Sequence, residues 1–303
     1  MMASRCTRST ISAPRACRRW VRRRRRSPRA RRNGRSAAGS RCCRRSPSWP
    51  TRPIIIPRPT CRPTGAISRS RSPPICSQRR KRSPAMSSIR SLWVSQARAA
   101  AAEDRPALIA SRIAVAGLDR EEAVRPMTLD RLQSLPPAFP PLAEAYRSLL
   151  GDRQIDHRHT VAHAPPMTDG AALALIGPRE GAIARIVAHQ EVGGDPWDSL
   201  TAGFAAMDKA LAKAGLTLAD MDRIEFMEAF AVTHAKFLRD RAPDPDRVNV
   251  SGGHVAKGHP MGATGGVLLS TLIDALTDSG GTLGLVVATG AQGVGVATIV
   301  ERI

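Results

Sequence analysis

Asn249-Val-Ser-Gly-Gly-His-Val-Ala-Lys-Gly-His-Pro-Met-Gly-Ala-Thr-Gly-Gly266 is the most informative run in this chain of 303 residues. It places His259 between Gly258 and Pro260, with further glycines on both sides. Glycine allows positive φ angles and close backbone approach, and proline fixes the direction of the chain after the histidine. The run therefore predicts a turn that presents an imidazole to a bulky ligand. The alternative is a glycine-rich strand-to-helix loop with a surface histidine.

Three further segments accompany this run. They are Pro166-Met-Thr-Asp-Gly-Ala-Ala-Leu173, Glu228-Ala-Phe-Ala231 and the closing segment from Gly284 to Glu301. Together with the run at 249–266, and in their order along the chain, these segments resemble the signatures of the thiolase family. That family includes acetyl-CoA acetyltransferases and 3-ketoacyl-CoA thiolases. The resemblance runs from about Leu92 to Ile303, roughly the last half of a family member. The family's N-terminal half has no visible counterpart.

The charge of the chain is divided unevenly. Residues 1–90 contain 26 Arg, one Lys and no Asp or Glu, a formal charge of +27, whereas the whole chain carries +22. The other residues must therefore carry −5. We predict that residues 1–90, rich in Arg, Pro and Ser, are disordered, because so little apolar sequence cannot offset the entropy of ordering the chain. The thiolase resemblance implies that residues 91–180 hold a loop region and the end of an N-terminal domain, and residues 181–303 a C-terminal domain.

Three interpretations of residues 1–90 stay open. Clustered arginines neutralise phosphates, as in a nucleic-acid-binding arm, but only Trp20 and Trp49 are present to stack on bases. A mitochondrial-type transit peptide is rich in Arg and Ser and poor in acids, although prolines here interrupt the amphipathic helix. We favour the third interpretation, a GC-rich gene read out of frame, because the family resemblance begins abruptly near Leu92.

Cysteines are confined to one part of the chain. All six lie in residues 1–90, at Cys6, Cys17, Cys42, Cys43, Cys61 and Cys76. Their spacing matches no zinc motif, and the remaining residues contain no thiol. No apolar run approaches the ~20 residues of a transmembrane helix. Residues 1–90 also lack the apolar core of a signal peptide. We predict a cytoplasmic protein with no metal and no membrane partner.

Hydrophobic periodicity predicts an α/β fold with layered helices and a mixed, mostly parallel sheet. This agrees with the thiolase-like fold that the resemblance implies. Irregular helices are predicted at 92–105 and 127–150. Strands are predicted at 160–162, 182–189, 223–226, 248–250, 283–288 and 294–300, and the other helices at 169–176, 200–214, 228–241 and 264–278.

The resemblance also implies the chemistry of the site. Thiolytic acyl transfer needs a nucleophile, acid/base groups and donors for two developing oxyanions. By resemblance, His259 is base and oxyanion donor, Thr289 replaces the family's second catalytic cysteine, and Met227 replaces an asparagine. Glu228 either orients the pocket or is a structural carboxylate at a helix N-terminus. The pKa of a hydroxyl is far above that of a thiol, which is about 8.5, so a hydroxyl is a poorer proton shuttle at neutral pH than a thiol.

The same resemblance implies that coenzyme A or acyl-CoA binds as a substrate and that no cofactor is permanently bound. We expect Gly253, Gly258, Gly290 and Met227 to lie beside that substrate. A homo-oligomer that acts in fatty-acid metabolism is also implied.

Three functions are compatible with the sequence. The first is a thiolase-type acyl-CoA C-acyltransferase, impaired or inactive because both catalytic cysteines of the family are missing. The second is a non-catalytic acyl-CoA-binding or subunit-pairing protein. The third, a basic nucleic-acid binder through residues 1–90, is the least favoured. Two histidines near the motifs, His163 and His254, are assigned no role and are expected to face solvent or to be bonded structurally.

Overall fold

A four-stranded sheet organises the part of the chain that the structure describes. The computed structural model describes residues 84–125, 127–152 and 154–303. The strands are β1 (Ala184–Gly193), β2 (Arg223–Phe226), β3 (Leu283–Gly290) and β4 (Val294–Arg302), in the spatial order β1-β4-β3-β2. The interpretations of residues 1–83 lie outside the described residues.

The sheet is mixed, and the layered α/β architecture is confirmed. β2 and β3 are parallel, whereas β4 is antiparallel to both β3 and β1. We expected mostly parallel pairing, and this detail is wrong. Only residues 291–293 separate β3 from β4, and a parallel crossover needs a dozen or more residues. A hairpin is therefore the only connection available between these two strands.

The described residues form eight α-helices. They are α1 (Pro84–Ala102), α2 (Leu129–Ser134), α3 (Pro140–Ala145), α4 (Arg147–Leu150), α5 (Ala202–Ala214), α6 (Ala231–Arg241), α7 (His254–Lys257) and α8 (Thr264–Ser279). Residues 84–90, predicted to be disordered, instead form the first turns of α1. None of the helices in the described ranges is long and apolar enough to cross a membrane.

Helix α5 packs on one face of the sheet. Its buried residues Phe204, Met207 and Leu211 share a cluster with Leu285 and Val287 of β3. These two β3 residues alternate with Val286, as expected from the two-residue period of a strand. In the same cluster two aromatic rings, those of Phe226 and Phe237, stack at a centroid distance of 4.2 Å. This cluster is the larger core of the described chain.

Helix α8 covers the opposite face. Leu268, Leu272 and Leu276 lie on one side of this helix and pack against Val286 and Val300. The helix ends at Gly280, whose φ of +68° is the left-handed C-cap that the Gly-Gly pair predicts. Because α5 and α8 sandwich β3, the end of that strand is fixed from both sides.

Three predicted elements differ from the structure. Residues 160–162 do not form a strand, because the backbone and hydroxyl of Thr160 bond the His163 ring and close a 3-10 turn at Val161–His163. Residues 169–176 form neither a helix nor a paired strand, and a short apolar run in the sequence does not distinguish these states. Residues 248–250 give only a single bridge, and the chain turns at Asn249.

Candidate active site

Three parallel segments end side by side and carry the motif residues. Val248 pairs in parallel with Ile224 of β2, and β2 pairs in parallel with β3. Their carboxyl ends therefore bring Asn249, Glu228 and Thr289 to one edge of the sheet. Ligands in open α/β sheets bind outside the carboxyl ends of the strands. The topology thus places the candidate site at this edge.

Asn249 fixes the start of the histidine loop. Its Oδ1 accepts the N–H of Phe226 at 2.7 Å, and its Nδ2 donates to the Phe226 carbonyl at 2.9 Å. The residue has a φ of +46°, a conformation that asparagine tolerates better than most residues. Its amide replaces the ladder hydrogen bonds that a longer strand would make here. The sequence analysis gave Asn249 no separate role, although it begins the quoted motif.

The carboxylate of Glu228 is a hub of hydrogen bonds. Glu228 is only 1% exposed, and it accepts from Ser95 Oγ at 2.7 Å, Asn249 Nδ2 at 3.0 Å and the Val255 N–H at 3.3 Å. A Cβ at Gly253 would overlap this carboxylate. Glu228 therefore joins α1, β2, the histidine loop and α7. These three hydrogen bonds favour a structural role for the Glu228 carboxylate over a role in orienting a substrate pocket. Glycine is needed at position 253 because a side chain there would occupy the place of the carboxylate.

A buried histidine flanks the same carboxylate. His234 Nδ1 lies 3.5 Å from Glu228 Oε1 and is hydrogen-bonded to Ser91 Oγ. Burial lowers the pKa of His234, although the charge of Glu228 opposes this shift. The imidazole is therefore neutral near pH 7. Sequence reasoning missed both Ser91 and Ser95, because contacts across more than a hundred residues leave no local pattern.

His259 is half-buried and held at three points. Its Nδ1 is hydrogen-bonded to Thr264 Oγ1 at 2.8 Å, and its backbone N–H donates to the Pro166 carbonyl at 2.8 Å. The Thr168 N–H donates to the His259 carbonyl at 3.4 Å. Within the described residues, Nε2 forms no hydrogen bond. Burial lowers the pKa of His259, so that the ring is neutral near pH 7.

The motif at residues 166–173 packs directly on this loop. Gly258 has a φ of +99°, and a Cβ there would overlap the side chain of Thr168. A Cβ on Gly266 would lie 2.7 Å from Cβ of Ala172, so a larger residue there would require one of the two segments to shift. Glycine at these positions therefore allows two motifs, far apart in sequence, to enclose His259.

His254 supports the ring of His259 from α7. The two rings meet edge to face at a centroid distance of 5.7 Å. Burial lowers the pKa of His254 to about 3, with smaller contributions from His259 and Lys257. Its Nδ1 has no hydrogen-bond partner among the described residues. The expectation of a solvent-facing or bonded histidine is wrong for His254, because desolvation and packing hold it as a neutral ring. For His163, bonded to Thr160, the structural alternative is correct.

Thr289 and Met227 lie at the ends of β3 and β2. Thr289 is 3% exposed, faces Gly203 of α5, and its buried hydroxyl has no hydrogen-bond partner among the described residues. Met227 is buried in the apolar cluster beneath α8 and contributes packing rather than a polar contact. No hydrogen bond joins Thr289 to His259 within the described ranges. Gly290, which follows Thr289, has more open surroundings.

Comparison with known proteins finds relatives for the C-terminal part of this layered α/β protein. The model of the thiolase C-terminal domain matches residues 181–302. Residues 181–302 thus match a thiolase domain and the C-terminal part of the chain has thiolase relatives, in agreement with the resemblance of the four motifs.

Among its relatives, the acetyl-CoA acetyltransferase of Rhizobium meliloti is 35% identical over 206 residues, which cover 65% of this chain and 49% of that protein. The cytosolic acetyl-CoA acetyltransferase of Mus musculus is 37% identical over 150 residues, which cover 47% and 38%. The chain thus spans about half the length, or less, of these relatives.

Two solved structures share the fold. The acetyl-CoA acetyltransferase of Bacillus anthracis gives a TM-score of 0.62 at 26% identity, covering 72% of this chain and 56% of that one. Human mitochondrial 3-ketoacyl-CoA thiolase gives a TM-score of 0.62 at 29% identity, covering 73% and 56%. The fold is therefore shown over most of the described chain.

Replacing Glu228 by alanine should destabilise the protein strongly. The change leaves the buried donors of Ser95, Asn249 and Val255 without their acceptor, at a cost of about 3 kcal/mol or more. Chemical denaturation measures the change in the free energy of unfolding. Glu191→Ala, on an exposed side chain of β1, is the control and should cost little. A loss below about 1 kcal/mol in Glu228→Ala would contradict this structural role.

The buried histidines should make stability fall in mild acid. Burial lowers the pKa of His254 to about 3 and that of His163 to about 4, from 6.5. Between these values the unfolded state binds more protons, so stability is lost as the pH falls from about 6.5 towards 4. His254→Phe removes one such group and should make the decline shallower. Unfolding free energies measured from pH 7 to 4 test this, and an unchanged slope in the variant contradicts it.

Proposed function

We propose that the chain is a thiolase-type protein whose loop around His259 binds the thioester of an acyl-CoA. The half-buried imidazole, held by Thr264 between two closely packed motifs, is the observation that supports this most directly. The relatives named acetyl-CoA acetyltransferase and 3-ketoacyl-CoA thiolase indicate the substrate class. The chain spans about half the length of these relatives, so an acyltransferase activity like theirs is also part of this proposal.

The geometry of His259 allows two roles in acyl transfer. When the Thr264 hydroxyl donates to Nδ1, the neutral ring carries its proton on Nε2 and can donate to an oxyanion. When Nδ1–H donates to Thr264, Nε2 presents a lone pair and can accept a proton from a thiol. A lowered pKa keeps the ring neutral near pH 7, which the base role requires and the donor role allows. Thr264 therefore selects the orientation of the ring in either tautomer.

The proposed acyl transfer is impaired because the two catalytic cysteines that the family resemblance implies have no counterpart in the described residues. Residues 84–303 contain no cysteine. The hydroxyl of Thr289 ionises only far above pH 8.5, so it is a poor proton shuttle, and Met227 offers no hydrogen-bond donor. We propose that this chain alone binds acyl-CoA but cleaves 3-ketoacyl-CoA at little more than the uncatalysed rate.

A non-catalytic acyl-CoA-binding or subunit-pairing protein is the alternative, and the absence of cysteine from residues 84–303 favours it. We also propose a cytoplasmic location, which the name of the cytosolic mouse relative supports. A role in fatty-acid metabolism and self-association rest on the family resemblance. Nucleic-acid binding has no support from the described residues.

Calorimetry with acetyl-CoA tests the binding proposal. The full chain should give measurable heat, and His259→Ala should weaken binding about fivefold, since one hydrogen bond is worth about 1 kcal/mol. His189→Ala, on the exposed surface of β1, is the matched control and should bind like the original chain. Absence of heat at millimolar acetyl-CoA would remove both the acyltransferase and the binding function.

A CoA-dependent cleavage assay with acetoacetyl-CoA tests the proposed impairment. The full chain should stay near the background rate, because residues 84–303 provide no nucleophilic thiol. Robust turnover that a thiol-alkylating reagent abolishes would show that a cysteine of this chain takes part, and the proposal of impairment would then fail.

A further inference from the structure

The short helix α7 is held firmly against the Glu228 carboxylate. The N–H of Val255 donates to Glu228 Oε2 at 3.3 Å. The N–H of Gly253, the residue before the helix, donates to Ser95 Oγ at 2.9 Å. Because these partners belong to β2 and α1, helix α7 has little freedom to move relative to the end of the sheet.

His254 is the first residue of this helix, and its ring is fixed with it. The N–H of Gly258 donates to the His254 carbonyl at 2.8 Å and closes the helix one residue before His259. His254 is only 4% exposed. Close packing restricts a buried side chain to one rotamer. The His254 ring therefore gives a rigid surface to the residue that packs on it.

The residue that packs on this surface is His259. The planes of the two rings meet at 86°, with the centroids 5.7 Å apart. The hydrogen bond to Thr264 Oγ1 holds the His259 ring at Nδ1 alone, so the ring could still tilt about that atom. The edge-to-face contact with His254 supplies the second restraint. The two contacts together fix the plane of the ring and thus the direction of Nε2.

His254 contributes no charge to the site near pH 7. Burial lowers the pKa of His254 to about 3, and the charges of His259 and Lys257 act in the same direction. The Nζ of Lys257 itself donates to Ser251 Oγ at 3.1 Å. Burial is also the cause of the lowered pKa of His259. Because the His254 ring covers part of that imidazole, it contributes to this burial without adding a charge.

We propose that His254 is the positioning residue of the candidate site, whose ring fixes the plane of the His259 imidazole and shields one side of it from water. This inference deepens the proposed function, on which it rests for the ligand, by assigning the residue that controls the imidazole. The contacts run from the Glu228 carboxylate through α7 to the His254 ring and then to His259. His254 acts through His259 and requires no contact of its own with the thioester.

Two measurements on the full chain test this role. Magnetic resonance titration of isotope-labelled histidine rings gives the pKa of His259, and calorimetry gives the affinity for acetyl-CoA. His254→Ala removes the ring and admits water, so the pKa of His259 should rise towards 6.5. Acetyl-CoA should bind about fivefold more weakly, as when the imidazole itself is removed. His254→Phe keeps a flat ring and should restore both values.

A merely structural role for His254 predicts a different result. The alanine variant would then lose stability, but its folded form would keep the original pKa of His259 and the original affinity. That outcome, or a failure of His254→Phe to restore both values, would overturn the proposal. His189→Ala, on the exposed surface of β1, is the control and should change neither value.

Two further results are kept distinct. Chemical denaturation shows whether His254→Ala folds. If it does not, His254→Val replaces it, since valine fills more of the space but lacks the flat ring, and both values should change in the same directions by less. Absence of heat from the original chain would contradict the proposed function, whereas the titration of His259 would still decide on the role of His254.

Discussion

The buried carboxylate of Glu228 is the interaction on which the candidate site depends. A carboxylate removed from water is tolerated only when hydrogen bonds satisfy it. Here the hydroxyl of Ser95, the amide of Asn249 and the N–H of Val255 provide them, and each comes from a different element. The end of β2 is thereby fastened to α1, to the first residue of the histidine loop and to α7. These contacts constrain the position of His259, because Asn249 begins the histidine loop and Val255 lies in the helix just before His259.

Helix α1 docks on this centre through polar contacts rather than through an apolar stripe alone. Three serines at helical spacing lie on one face and bond three buried side chains: Ser88 to His163, Ser91 to His234 and Ser95 to Glu228. Apolar surfaces slide past one another at modest cost, whereas a shift of one residue would leave all these groups unsatisfied. The three serine contacts therefore fix the register of α1, and the buried side chain of Leu92 on the same helix adds apolar burial.

Much of the fold was predictable because its signals are local. The apolar faces of α5 and α8 and the strands at 223–226, 283–288 and 294–300 follow from hydrophobic periodicity. The position of His259 followed from its motif. The segment at 169–176 was not predictable, since an alanine- and leucine-rich run suits a helix until its surroundings are known. Ser95 and the burial of Glu228 depend on tertiary contacts, which no local pattern encodes.

The tight contact between Gly258 and Thr168 limits how the two motifs can vary. A side chain at position 258 would be strained by its positive φ and would also displace the threonine whose backbone bonds His259. A smaller residue at position 168, some ninety residues earlier in the chain, would relieve the overlap but would leave the strain of the positive φ. Libraries that diversify the histidine loop should therefore keep Gly258 fixed, because another residue there is strained even when position 168 is varied with it.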